Sequence, residues 1–207
     1  MGIEDVTGRI ARDLEHLKQY TATPGNGCTR LPFTKEARDA VNYLKELMTE
    51  AGLEVTEDAA GNVIGTLKGE DPDAPCVMMG SHYDSVVNGG DYDGIAGVIC
   101  AIEVARLLKE EGITPKRNFV AVGFCDEEGM RFGTGYFGSG AMLGHRDVEY
   151  TKKFADVFRI SGSATSPSAA SPTNRYPYCS QGIIYLFQFI FHLHRKKLIY
   201  TVIASFG

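Results

Sequence analysis

Five residues of this sequence have types and spacing that suit chemistry: His82, Asp84, Asp93, Glu127 and Glu128. They fall in two loops, 81–97 and 126–139, each following an apolar run. In extended chain, positions i and i+2 share a face, so the Asp84 carboxylate is expected to hydrogen-bond one ring nitrogen of His82. Such a partner fixes the tautomer of a metal-ligating histidine and strengthens it as a ligand. Asp93 sits in a glycine-flanked loop just before a helix, where its carboxylate is free to point inward. Adjacent residues at a strand end point to different sides. One of Glu127 and Glu128 can therefore bind metal while the other acts on water. Imidazole with carboxylates suits zinc, manganese or cobalt. A carboxylate bridging two ions, with a free Glu as base, suits hydrolysis of amide-type bonds. Each residue alone also has a plain structural reading: a satisfied polar histidine, a turn and N-cap pair at Asp93-Gly94, a solvated Glu pair. Their joint occurrence on successive strand ends favours a site.

The elements that must hold these loops are legible as periodicities. Val6, Ile10, Leu14 and Leu17 predict an amphipathic helix over 4–20. Thr34 can cap a second helix over 35–51, with Ala37, Val41, Leu44 and Met48 on one face and Gly52 as its stop. Short strands are expected at 53–56 and 62–67, joined by an Asp-Ala-Ala-Gly-Asn turn. Residues 76–80 and 119–125 read as buried strands, and 95–110 as a helix between them. Glu103, Arg106 and Lys109 are expected on that helix's solvent side. Strand, helix, strand is a crossover unit, so an α/β domain with a largely parallel core follows. Ligands in such sheets bind beyond the carboxyl ends of strands, which is where both loops lie.

The chain has 207 residues, 43% hydrophobic and 23% charged, a composition ordinary for a globular protein. Its net charge of -5 argues against a nucleic-acid partner. That average hides a split. Residues 1–157 carry 26 acidic and 16 basic side chains, a net of -10. Residues 158–207 carry five basic and no acidic ones, a net of +5. The five cysteines are scattered without a CxxC pair, and residues 1–5 lack a signal-peptide pattern. A reducing, cytoplasmic setting is the expectation.

The run Gly80-Ser81-His82-x-Asp84-Ser85, then Asn88-Gly89-Gly90-x-x-Asp93-Gly94-x-x-Gly97, is followed by Asp126-Glu127-Glu128-Gly129-x-Arg131-Phe132-Gly133. Together these motifs resemble the amidase/hydantoinase/carbamoylase family of the dinuclear zinc peptidase superfamily. The likeness covers roughly residues 5–157 and takes in Thr29-Arg30-Leu31 and Gly61-Asn62. It implies an α/β, zinc-peptidase-like catalytic domain with a mostly parallel central sheet flanked by helices. Two divalent metal ions (Zn, Mn or Co) are implied as well. His82 would ligate one ion, Asp93 would bridge both, and Glu128 would ligate the second. Glu127 would be the general base and Asp84 would support His82. The substrate would be a small N-carbamoyl or ureido molecule, such as an N-carbamoyl-L-amino acid or allantoate, cut at a carbamoyl or amidine C–N bond. Residues 132–140 would form the loop beneath it. The Asp-Glu-Glu-Gly signature favours this branch over a true peptidase.

Family members are longer, with a lid and dimerisation domain and two later histidine ligands. The chain is therefore expected to be a truncated catalytic domain, weakly active or inactive, and a family-type homodimer is not expected. His192 and His194 fall 64 and 66 residues beyond Glu128, near the spacing of one missing ligand, but without its sequence context. Residues 1–157 are read as the hydrolase part and 158–182 as a Ser/Pro-rich linker. Residues 183–207 form an apolar and basic tail of unrelated or out-of-frame character. The tail's apolar run is shorter than the ~20 residues a membrane span needs, so membrane anchoring is not expected. The alternative from another class is a non-catalytic remnant or interaction module whose hydrophobic tail docks a partner or membrane.

Overall fold

A computed structural model describes residues 3–151 of the chain. Two helices come first, α1 (Ile3–Leu17) and α2 (Lys35–Glu50). The strands β1 (Glu54–Glu57), β2 (Val63–Leu67) and β3 (Val77–His82) follow. Then come α3 (Ile95–Glu110), β4 (Phe119–Phe124) and two short helices, α4 (Phe137–Met142) and α5 (Val148–Thr151). The expected linker and tail (158–182 and 183–207), with His192 and His194, lie outside the described residues.

The strands form one sheet in the order β1-β2-β4-β3. The α/β class is as expected, and the crossover β3–α3–β4 gives a parallel pair in which His82 stands opposite Phe124. β1–β2 and β2–β4 are antiparallel, so among the described residues the sheet is mixed. A tight turn suffices to join β1 to β2, whereas β3 and β4 need a helix between them.

Alternation along each strand divides the core. Val63, Met79, Phe119 and Ala121 pack with the buried faces of α1, α2 and α3. Ile64, Met78, Val120, Val122 and Phe124 face the other way, against Cys76 and Met142. Thr34 caps α2 as expected, accepting the Ala37 N–H at 3.3 Å.

Two expectations fail for one reason: α1 packs across α3. Glu103 and Arg106 are buried rather than turned to solvent, and only Lys109 is exposed. Arg106 donates to Asp13 at 2.6 Å and to Glu103 at 3.2 Å, and Arg9 pairs with Glu103. Tyr43 of α2 donates to Asp13 at 3.3 Å, so three helices share one buried polar network. Helical periodicity alone cannot see a neighbouring helix that supplies the opposite charges. α1 also stops at Leu17, short of residue 20. The last turn tightens to Gln19 N–H on His16 O and Tyr20 N–H on Leu17 O.

Candidate active site

β3 and β4 run in parallel, so their carboxyl ends deliver both loops to the same edge of the sheet. His82 is the last residue of β3, and Asp126 lies two residues past the end of β4. His82, Asp93 and Glu128 each offer a ligand atom within 4.8 Å of the others. His82 is buried, Glu128 half-buried and Asp93 exposed. Glu127 stands beside them, its Oε2 3.7 Å from His82 Nε2.

Asp84 supports this arrangement in an unexpected way. His82 Nδ1 bonds at 2.9 Å to the main-chain carbonyl of Asp84, while the carboxylate stays 3.8 Å away. A carbonyl only accepts, so Nδ1 carries the proton and Nε2 keeps its lone pair for a ligand. The Asp84 carboxylate instead accepts the Glu127 N–H at 3.1 Å and the Glu128 N–H at 3.2 Å. A carboxylate has four acceptor sites and fills two of them by bracing the neighbouring loop. The expected bond to the ring is thus made by the main chain, and the side chain serves the Glu pair.

Close approach at the site depends on Gly94. Its φ is +65°, and a Cβ there would lie 2.3 Å from His82 Cε1. Only glycine lets the turn that carries Asp93 close over the imidazole ring.

The electrostatics favour a positive guest. Burial raises the pKa of Asp84, and also those of Glu127 and Glu128, where His82 pulls the other way and neighbouring carboxylates add to the rise. Asp126 goes further, pushed up to about 7 by burial and by Asp84, against Arg131. Both its oxygens are buried without a hydrogen-bond partner among the described residues, and its φ is +55°. A histidine and two carboxylates in one small cluster form a hard, anionic donor set, the set that zinc, manganese and cobalt take.

The sequence did not single out four supporting roles. Asn62 is fully buried; its Oδ1 accepts the Cys125 N–H at 3.0 Å and its Nδ2 donates to Gly138 O at 2.9 Å. It ties the β1–β2 turn to both ends of the loop bearing Glu127. Buried Arg131 reaches back to the Pro32 carbonyl. Arg30 and the strained Asp126 are the others, and the signal that could have found them was an ionisable residue inside an otherwise apolar or turn segment. The expected loop 132–140 ends inside a helix, α4 (Phe137–Met142), and Tyr136 is left exposed at the start of that helix.

An α/β layer with a histidine–carboxylate cluster just past the ends of its parallel strands has the architecture of a metal-dependent hydrolase domain. Residues 62–200 match the model of peptidase family M28, and the chain belongs to that family. The match crosses the charge boundary at 157. The chain is 46% identical over 173 residues to the N-carbamoyl-L-amino acid amidohydrolase of Geobacillus stearothermophilus, covering 84% of this chain and 42% of that protein. It is 44% identical over 156 residues to the allantoate amidohydrolase of Bacillus subtilis (strain 168), covering 75% and 38%. Among solved structures, a hydantoinase/carbamoylase family amidase from Burkholderia ambifaria superposes with a TM-score of 0.69. It is 32% identical and covers 73% of this chain and 37% of that one. The chain thus spans about two-fifths of the length of the relatives it matches.

Proposed function

We propose that the chain is part of a metal-dependent amidohydrolase that cuts non-peptide C–N bonds of small N-carbamoyl or ureido compounds. The observation that carries this is the His82–Asp93–Glu128 cluster with Glu127 poised at its edge. The activities of the two amidohydrolases above support the substrate class.

In this reading His82 through Nε2, Asp93 and Glu128 would hold the divalent metal. Zinc, manganese and cobalt all suit the donor set. When bound, divalent ions supply Lewis acidity that polarises the scissile carbon and acidifies water. Glu127, the carboxylate outside the ligand set, takes a proton from the attacking water and passes it to the leaving nitrogen. Its raised pKa makes it a better base than a solvated glutamate. Asp84 fixes the Glu127 and Glu128 main chain, so the base and the ligand keep their separation. The rest of the reading is a cytoplasmic setting. Among the described residues no helix is long and apolar enough to cross a membrane.

The test is ammonia release from N-carbamoyl-L-amino acids and allantoate by the full chain supplied with Zn²⁺, Mn²⁺ or Co²⁺. Slow turnover that Glu127→Gln abolishes is the expected result. Turnover unchanged by Glu127→Gln overturns the role of that residue. Metal binding without any turnover favours the non-catalytic alternative.

A further inference from the structure

Thr29-Arg30-Leu31 has no part in the chemistry above, yet Arg30 is among the largest fully buried side chains, 1% exposed. Among the described residues its guanidinium bonds no carboxylate. Nε donates to Tyr20 O at 3.0 Å and Nη1 to Tyr83 O at 3.1 Å. Nη2 donates to Leu17 O at 2.9 Å and to Cys28 Sγ at 3.3 Å. Burying a cation without an ionic partner is costly, and an apolar side chain would avoid the cost. The geometry shows what the guanidinium does that an apolar residue could not. Leu17 and Tyr20 lie at the end of α1, where the last carbonyls lack their α-helical donors, Leu17 O keeping only the Tyr20 N–H, and the helix dipole favours a cation. Tyr83 lies between His82 and Asp84. The main chain follows the same course: Arg30 N–H donates to Ser85 Oγ at 2.9 Å, and Ser85 N–H to Arg30 O at 3.0 Å. The segment His82–Ser85 is therefore fastened to Arg30 on both sides of Asp84, and Asp84 in turn braces Glu127 and Glu128.

We infer that Arg30 is a positioning residue of the site. It fastens the end of α1 to the Tyr83 carbonyl and thereby holds His82 and Asp84 in register with Glu127 and Glu128. The functional meaning rests on the metal-site reading above, whereas the fastening itself does not. A lysine would keep the charge but cannot span carbonyls lying in different directions, as a planar fork of five donors does.

The experiment compares the full chain with Arg30→Lys, Arg30→Met and Arg106→Met. Arg106 is the control, since it is buried among the helices and bonds Asp13 and Glu103 rather than the site. Amide hydrogen exchange of the metal-stripped proteins and visible Co²⁺ titrations are the two readouts. In Arg30→Lys, exchange over 82–86 and 127–128 should rise at least about tenfold while β2 keeps its rates. Co²⁺ should bind at least about tenfold more weakly, with an altered absorption spectrum, as expected when ligand orientation is lost. Arg106→Met should loosen α1 and α3 and leave those segments and Co²⁺ binding as they were. Wild-type exchange over 82–86 and 127–128 in Arg30→Lys overturns the inference. So does a rise spread evenly over the chain, β2 included, or failure of both Arg30 variants to fold. Absence of Co²⁺ binding in the unmodified chain, with selective exchange in Arg30→Lys, removes the metal reading and upholds the fastening.

Discussion

Replacing Gly94 by alanine attacks the site at its tightest point. The new Cβ would meet the His82 ring at 2.3, 2.4 and 2.5 Å, against ordinary contact beginning at 3.4 Å. Ring and turn must therefore part by about 1 Å, several times the tolerance of roughly 0.2 Å in metal–ligand distances. His82 then leaves the ligand set or Asp93 does. Metal affinity should fall by about 10²-fold, at the upper end of what disturbed ligand support costs. A positive φ in a residue with a Cβ adds strain of about 1–3 kcal/mol. Gly112→Ala separates the two effects, because Gly112 has the same φ of +65° with nothing within 4 Å. Calorimetric titration of stripped protein with Mn²⁺ or Zn²⁺, beside thermal melts, reads both. Both variants should melt lower, and Gly94→Ala alone should lose metal. Wild-type affinity in Gly94→Ala, or equal losses in the two variants, would refute the reasoning.

Asp84→Asn should lower stability by about 1–3 kcal/mol in urea unfolding, because the amide can accept only one of the two N–H groups and turns a donor towards the other. Arg106→Met takes one of two cationic partners from each of the buried Asp13 and Glu103, which keep Arg12 and Arg9, and should cost about 1–3 kcal/mol, a melting drop of roughly 5 °C. The metal-free chain should lose stability as pH rises. Unfolded Asp126 ionises near its model value of 3.8 and the folded one at about 7, so stability is full below pH 4, falls between 4 and 7, and stays lowered above. Asp126→Asn should flatten that part of the profile, on the order of 4 kcal/mol at most, with denaturant melts at pH 4 and pH 8 as the check.

Much of the fold was legible because its signals are local. Ile95–Glu110 and Phe119–Phe124 have the bounds their apolar patterns predict, give or take a residue, and Thr34 announces α2 by itself. The site was legible because β3 and β4 are parallel, so two loops distant in sequence share one edge. What stayed hidden depends on partners from elsewhere in the chain. Glu103 and Arg106 look like solvent-facing residues until α1 brings Arg9 and Asp13 against them. The i, i+2 rule put the Asp84 side chain on His82, but the chain turns after β3. That turn brings the carbonyl to the ring and frees the carboxylate for the Glu127–Glu128 amides. Arg30 stands out only as an ionisable residue in a turn segment, and the carbonyls that hold it come from α1 and from the end of β3.

Metal titration of the stripped full chain, run beside His82→Ala, Glu128→Gln and Glu127→Gln, reads most directly whether His82, Asp93 and Glu128 hold metal while Glu127 stays free as a base. Stoichiometric binding that His82→Ala and Glu128→Gln abolish, and that Glu127→Gln leaves within a few-fold, is the expected result. No binding by the unmodified chain, or an equal loss in Glu127→Gln, would contradict it.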